Sequence, residues 1–259
     1  MRENFCSEIL KLRKSHIFIF CNVVLGVIAV ASIVSTYLLE PNSQDFNGSN
    51  ILFSRIGDNI PLVFMMIFVS VYVENEFSTG RIKIILSKCS SRQEFYFSKL
   101  LICMIGVGIT NIVSSVVYVV CATAVNGFDP KGKFSLASFL VFFGLQLLVY
   151  SSYTAIFCCV SFLIKTVYGA IVVNLLIILL FPGVFLIMDN LLKTGGMLSK
   201  YWLSSCMMNL LNNITYLTFI NTVIPCVLFI AVSSFIGIHF FEKKALSIMI
   251  LLECCIVDI

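Results

Sequence analysis

Six stretches of the chain, approximately 17–39, 51–73, 100–125, 137–164, 167–188 and 219–241, are long and apolar enough to cross a bilayer. Each matches the roughly 20 mostly apolar residues that a spanning helix requires. Inside hydrocarbon no water is present to satisfy backbone amides, so runs of this length commit the chain to helix. The rest of the composition agrees: 12% of residues are charged and 59% hydrophobic, against about 25% charged in a soluble domain. The expected fold class is therefore all-α, a polytopic membrane protein of six transmembrane helices. The second stretch is the least clean, because Arg55 and Asp58 sit in its first turns; three apart on a helix, they can pair with each other. The first run exceeds a signal-peptide core and lacks a small-x-small cleavage site, which predicts an uncleaved span.

Orientation follows from the cationic residues, which favour the cytoplasmic side. With a cytoplasmic N-terminus, twelve of the seventeen Lys and Arg residues fall inside and five outside. Both termini are therefore expected on the cytoplasmic side. Ahead of the first span, residues 1–15 form an interfacial helix or a basic topogenic flank, two readings that are compatible. Phe5, Ile9 and Leu12 share one helical face there. On the outer side, the segment 189–218 breaks at Gly195-Gly196 and resumes with moderate apolarity, which permits an interfacial or a re-entrant helix. With no repeat and no linker, one membrane domain covers 1–259.

Catalytic chemistry is hard to place. Gly127 to Lys133 fits G-x-x-x-x-G-K, but Phe134 stands where a P-loop needs Ser or Thr for magnesium, and the segment joins two spans rather than a strand and a helix. It reads as a turn. The two histidines, His16 and His239, lie at span ends, and no Ser/His/Asp or HExxH pattern occurs. Most of the eleven cysteines lie in apolar runs and act as small hydrophobes, without zinc spacing. A net charge of +4 is too small and scattered for nucleic acid. Asn22, Thr110, Asn111, Ser114, Ser115, Gln146, Ser151, Ser152 and Asn174 lie inside spans, where such residues usually hydrogen-bond between helices. Gly106 and Gly108 permit a close helix approach.

The longest polar interruption is 73–100, VENEFSTGRIKIILSKCSSRQEFYFSKL. Glu74 and Glu76 come early and Arg81, Lys83 and Lys88 late, the order that suits a helix macrodipole, while the alternation Arg81-Ile82-Lys83-Ile84 also permits an extended piece. Gly80 marks a break, Phe77, Ile84, Ile85 and Leu86 supply an apolar surface, and Ser91 with Glu94 forms a capping box that starts a new helix into the third span. This is an amphipathic surface element joined to two spans.

Glu76, Gly80, Ile84-Ile85-Leu86-Ser87-Lys88, Ser91-Arg92 and Ser98-Lys99-Leu100 resemble the cytoplasmic loop of ABC-2 type transporter permeases, notably the small permeases of antimicrobial-peptide (lantibiotic) export or immunity systems. Arg81 departs from the small hydroxyl residue usual in that family, and Cys89-Ser90 from its Gly or Pro. The resemblance implies an ABC-2 (type V exporter-like) architecture in which 74–99 is the coupling loop. Glu76, Phe77, Gly80, Leu86 and Arg92 would then engage a separately encoded ABC ATPase. It also implies a second permease copy or paralogue as partner, and ATP and Mg carried by the ATPase, with no cofactor in this chain. The implied function is ATP-driven export of a peptide or an amphipathic or hydrophobic compound; the alternative is a non-transporting membrane sensor or immunity protein that binds an external ligand.

Overall fold

A computed structural model describes residues 2–39, 48–49, 51, 60–78, 92–128, 135–164, 166–212 and 216–257. Nine helices account for almost all of them, and no strand occurs among the described residues. The helices are α1 (Arg2–Arg13), α2 (His16–Leu39), α3 (Ile60–Ser78), α4 (Arg92–Asn126), α5 (Leu136–Ile164), α6 (Val167–Leu192), α7 (Met197–Lys200), α8 (Leu203–Asn212) and α9 (Tyr216–Val257). Six of them carry spans of sufficient length and hydropathy, in α2, α3, α4, α5, α6 and α9. The expected number of crossings is thus found. The pair Arg55 and Asp58 lies outside the described residues.

The second span is displaced from the apolar stretch that announced it. Helix α3 continues through Ser78, so Glu74, Glu76 and Phe77 belong to its last turns and not to a loop. Glu74 and Glu76 are both buried. Helix α4 starts at Arg92, directly after Ser91, where a cap was expected; Ser91 itself lies outside the described residues. The polar connection therefore narrows to 79–91.

Helix α5 is the axis of the bundle. It packs on α3, α4, α6, α8 and α9, and its buried residues, from Phe142 to Phe162, run all round the helix, as expected of a helix surrounded by other helices. Helix α6 is the opposite case: its span window is 6% buried, against 61% for α5. It is held by the inward pair Ala170 and Asn174, with Asn174 Nδ2 donating to Ser70 Oγ at 3.0 Å and to the Phe157 carbonyl at 3.5 Å.

Polar residues within spans mostly do join helices. Asn111 donates to Gln146 across α4 and α5 at 3.3 Å, Ser152 donates to the Cys226 carbonyl at 3.1 Å, and Asn22 reaches Thr110 at 3.4 Å. Ser114 and Ser151 instead bond to carbonyls of their own helices. At Gly106 a Cβ would sit 2.8 Å from the Phe68 ring, so a larger side chain here would have to displace that ring where α4 meets α3. Gly108 has only ordinary contact, 3.9 Å from Leu147. The cysteines at 21, 103, 121, 158, 159, 206 and 226 are free thiols, buried or half-buried, in keeping with a packing role. Gly127 follows the end of a 35-residue helix, with φ of 78°. A turn after a helix is incompatible with a P-loop, which follows a strand.

At the end of the bundle opposite α1, the chain turns back on itself. Lys193, Gly195 and Gly196 all have positive φ, a conformation that glycine adopts without steric cost. The Asp189 carboxylate accepts from the Leu198 amide at 2.9 Å, the Ser199 amide at 2.7 Å and the Thr194 hydroxyl, so it caps α7 from the end of α6. Trp202 then inserts between α5, α6 and α9. Its ring lies 4.9 Å from Phe185, 5.5 Å from Phe181 and Phe229, and 6.3 Å from Tyr153. Phe185 is about 10 Å and Phe229 about 20 Å from the helix ends on this side, at 1.5 Å rise per residue. Segment 197–212 therefore folds back onto the bundle, with Trp202 seated among α5, α6 and α9.

Candidate functional site: a buried ionic clamp at the roots of 79–91

Helix α1 meets the bundle with a face that joins Leu12 to charged residues. Leu12 and Glu8 are buried, whereas Ile9 and Leu10 are 40% and 59% exposed. Of the apolar residues Phe5, Ile9 and Leu12, Leu12 turns into the bundle and Ile9 lies at the surface; the Phe5 side chain lies outside what the structure describes. In a bilayer an apolar face has lipid to turn to, whereas a charged one needs partners inside the protein. Glu8, Lys11 and Leu12 follow the helical spacing that puts them on one side.

The partners of that face come from the last turn of α3 and the first turns of α4. Lys99 is 1% exposed, and its ammonium lies 2.6 Å from Glu8 Oε2 and 2.8 Å from Glu76 Oε1. Lys11 reaches Glu76 Oε1 at 3.1 Å and also pairs with Glu8. The Tyr72 hydroxyl donates to Glu8 Oε2 at 3.0 Å, and its ring lies 4.2 Å from the Lys99 ammonium, within cation–π range. Two cations and two carboxylates balance, which is what allows Glu8, Glu76 and Lys99 to be buried together beside the half-exposed Lys11.

Electrostatics lock the α1 part of this cluster. Burial alone pushes the Glu8 carboxyl up. The Lys99 charge, hydrogen bonds from Lys11 and Lys99, and the Lys11 charge outweigh it and hold Glu8 below the ordinary carboxylate range. Burial pushes Lys11 down, but its hydrogen bond to Glu8 and the charges of Glu76 and Glu8 hold it above the ordinary lysine value. A depressed carboxyl stabilises the folded state above its unfolded pKa, near 4.5 here, and that stabilisation is lost as pH falls through the folded value. A raised lysine stabilises below 10.5 and is lost as pH rises through its own folded value. The docking of α1 is therefore expected to hold throughout the neutral range and to loosen in acid below about pH 4.5. Amide exchange of α1 in proteoliposomes, followed against pH, checks this; protection that stays flat into strong acid refutes it.

A second cluster fixes the same roots from the other side. Phe77 of α3 meets Phe162 of α5 edge to face at 5.5 Å. Phe95 and Tyr96 of α4 meet the same ring at 6.1 and 4.9 Å. Tyr96 in turn packs on Gly237 of α9, where a Cβ would be 2.6 Å from Tyr96 Cζ. Residues 79–91 thus emerge from two helices clamped ionically to α1 and aromatically to α5 and α9.

Of the residues expected to form the coupling site, Glu76 lies in the ionic clamp and Phe77 in the aromatic one. Gly80 and Leu86 lie outside the described residues. Arg92 opens α4, and nothing is described of its side chain. Sequence reasoning missed Glu8, Tyr72 and the burial of Lys99. The available signal was a lysine and two glutamates bordering spans, where an unpaired charge is costly.

A sequence profile described as ABC-2 family transporter protein matches residues 5–181, the part of the chain that holds the whole clamp. The chain belongs to the ABC-2 transporter family. It is the permease subunit of an ABC transporter, a multi-pass membrane component of a kind that is generally non-catalytic and works with an ABC ATPase. Comparison with curated protein sequences gave no match. In this ABC-2 permease α1, α3 and α4 meet at the clamp, at the base of the connection between the second and third spans.

Proposed function

We propose that the 79–91 segment, with Glu76, Phe77 and Arg92 at its roots, receives the movement of the ATPase and passes it to the spans as a rigid-body tilt. The supporting observation is the clamp. A push on 79–91 cannot be absorbed by bending at its ends, because both roots are bonded to α1 and packed on α5. Gly80 and Leu86 complete the docking surface by resemblance to the family. ATP and Mg belong to the partner, and the face bearing α1 is cytoplasmic, as the bias of Lys and Arg indicates.

The permease works as a pair, with a second copy or a paralogue. Its cargo is a peptide or another amphipathic or hydrophobic compound moved outward, with protection against antimicrobial peptides as the physiological role. Support for such a cargo comes from the resemblance and from the strongly apolar character of the spans. The test reconstitutes the permease with its ATPase. Glu76→Gln and Arg92→Ala are expected to insert normally and to lose about tenfold or more of transport-coupled ATP hydrolysis, the scale for losing one productive interaction of about 1.4 kcal/mol. Full coupling in both variants would remove these residues from the site. Protection that survives a catalytically dead ATPase would favour a sensor.

A further inference from the structure

A cleft of about 640 Å³ opens beside the ionic clamp, between the α1–α2 junction and α3. That volume falls in the range of small-ligand sites, about 300–1,000 Å³. Lys11, Lys14, Ser15 and His16 line one side, Tyr72 and Glu76 the other, and Leu10, Ile17 and Val71 supply apolar wall. We propose that this cleft binds the phosphate headgroup of an anionic phospholipid.

Charge and position carry the assignment. Lys11 and Lys99 are balanced by Glu8 and Glu76, so the clamp contributes no net charge. Lys14 is exposed and makes no ion pair among the described residues. It leaves one uncompensated positive charge at the mouth, next to an exposed His16 whose imidazole N–H can donate. The start of α2 adds to it. Ile19 is the first residue whose amide bonds back to Ser15, so the preceding amides have no acceptor within the helix, and the dipole there favours an anion.

Depth selects the source of the phosphate. The cleft lies where an interfacial helix passes into a span, the level at which headgroups sit, on whichever side of the membrane α1 lies. Leu10, 59% exposed, extends the apolar wall toward the acyl region. A soluble anion would use the cations but gain nothing from Leu10, Ile17 and Val71; a phospholipid uses both. Occupancy would brace α1 against α3 from outside the clamp, so the inference does not rest on the coupling role proposed for 79–91.

The test uses the full chain purified in detergent, with retained lipid counted by native mass spectrometry after exposure to phosphatidylglycerol or phosphatidylcholine. Wild type is expected to retain phosphatidylglycerol preferentially. Lys14→Glu, at an exposed position that leaves the fold intact, is expected to lower its apparent affinity roughly fivefold or more, the scale for one lysine at an anionic surface. Lys193→Ala, at the other end of the bundle, is expected to change nothing. Equal retention of both lipids, or no loss in Lys14→Glu, would overturn the site. Displacement of the lipid by millimolar inorganic phosphate would overturn the choice of a lipid as its ligand.

Discussion

Lys99→Met is expected to destabilise the permease by about 3–5 kcal/mol, the scale for removing one partner from a buried ion pair. Lys99 lies within 2.8 Å of both Glu8 and Glu76. Without it, two carboxylates share a buried site with only the half-exposed Lys11 between them. One must then take up a proton or α1 must leave. The measurement is thermal or denaturant unfolding in a fixed detergent, with amide exchange on α1 as a local readout. Lys99→Met combined with Glu8→Gln is expected to recover part of the loss, because it removes one of the stranded charges; a double-mutant cycle isolates their coupling. A loss below about 1 kcal/mol in the single variant would place the pair among weak surface contacts. Lys99→Arg keeps the charge but not the compact ammonium that fits under Tyr72, so it tests geometry separately from charge.

Trp202→Ala is expected to cost a similar amount, about 3–5 kcal/mol, by emptying the space between α5, α6 and α9. Trp202 is 2% exposed and touches four aromatic rings. Its Nε1 is buried and finds no hydrogen-bond partner among the described residues, so the ring contributes through packing alone. Trp202→Phe should therefore retain most of the stability, since it keeps an aromatic ring and deletes an unmet donor. Protease or label access to 197–212 reports whether this segment has left its seat. Unchanged access and stability in the alanine variant would mean that Asp189 and the glycine turn hold the segment without the tryptophan.

Much of the fold is legible from the chain alone, for a simple reason. Hydropathy acts locally, and a run such as 137–164 declares its state without reference to any partner. Polar residues within spans are legible in kind, because hydrocarbon offers them nothing else; Asn111 and Gln146 satisfy each other as that logic requires. Span ends were harder. Glu74, Glu76 and Lys99 lower the hydropathy of 73–100 and so suggest a loop, yet α3 and α4 carry them inside the bundle. Charge lowers a hydropathy score whether it is solvated or neutralised by a partner, so burial of this kind is invisible to it.

The sequence by itself determined the number of crossings, their helical state and the place of the polar connection between the second and third spans. It also held enough of the loop motif to point to an ABC-2 permease. Only the tertiary structure decided which face of α1 turns inward, and which charges near the second and third spans are structural. Glu8 and Lys99 stand 91 residues apart, and a pairing over that distance depends on how α1, α3 and α4 converge. Local propensity sets each helix; electrostatic balance between helices sets the clamp.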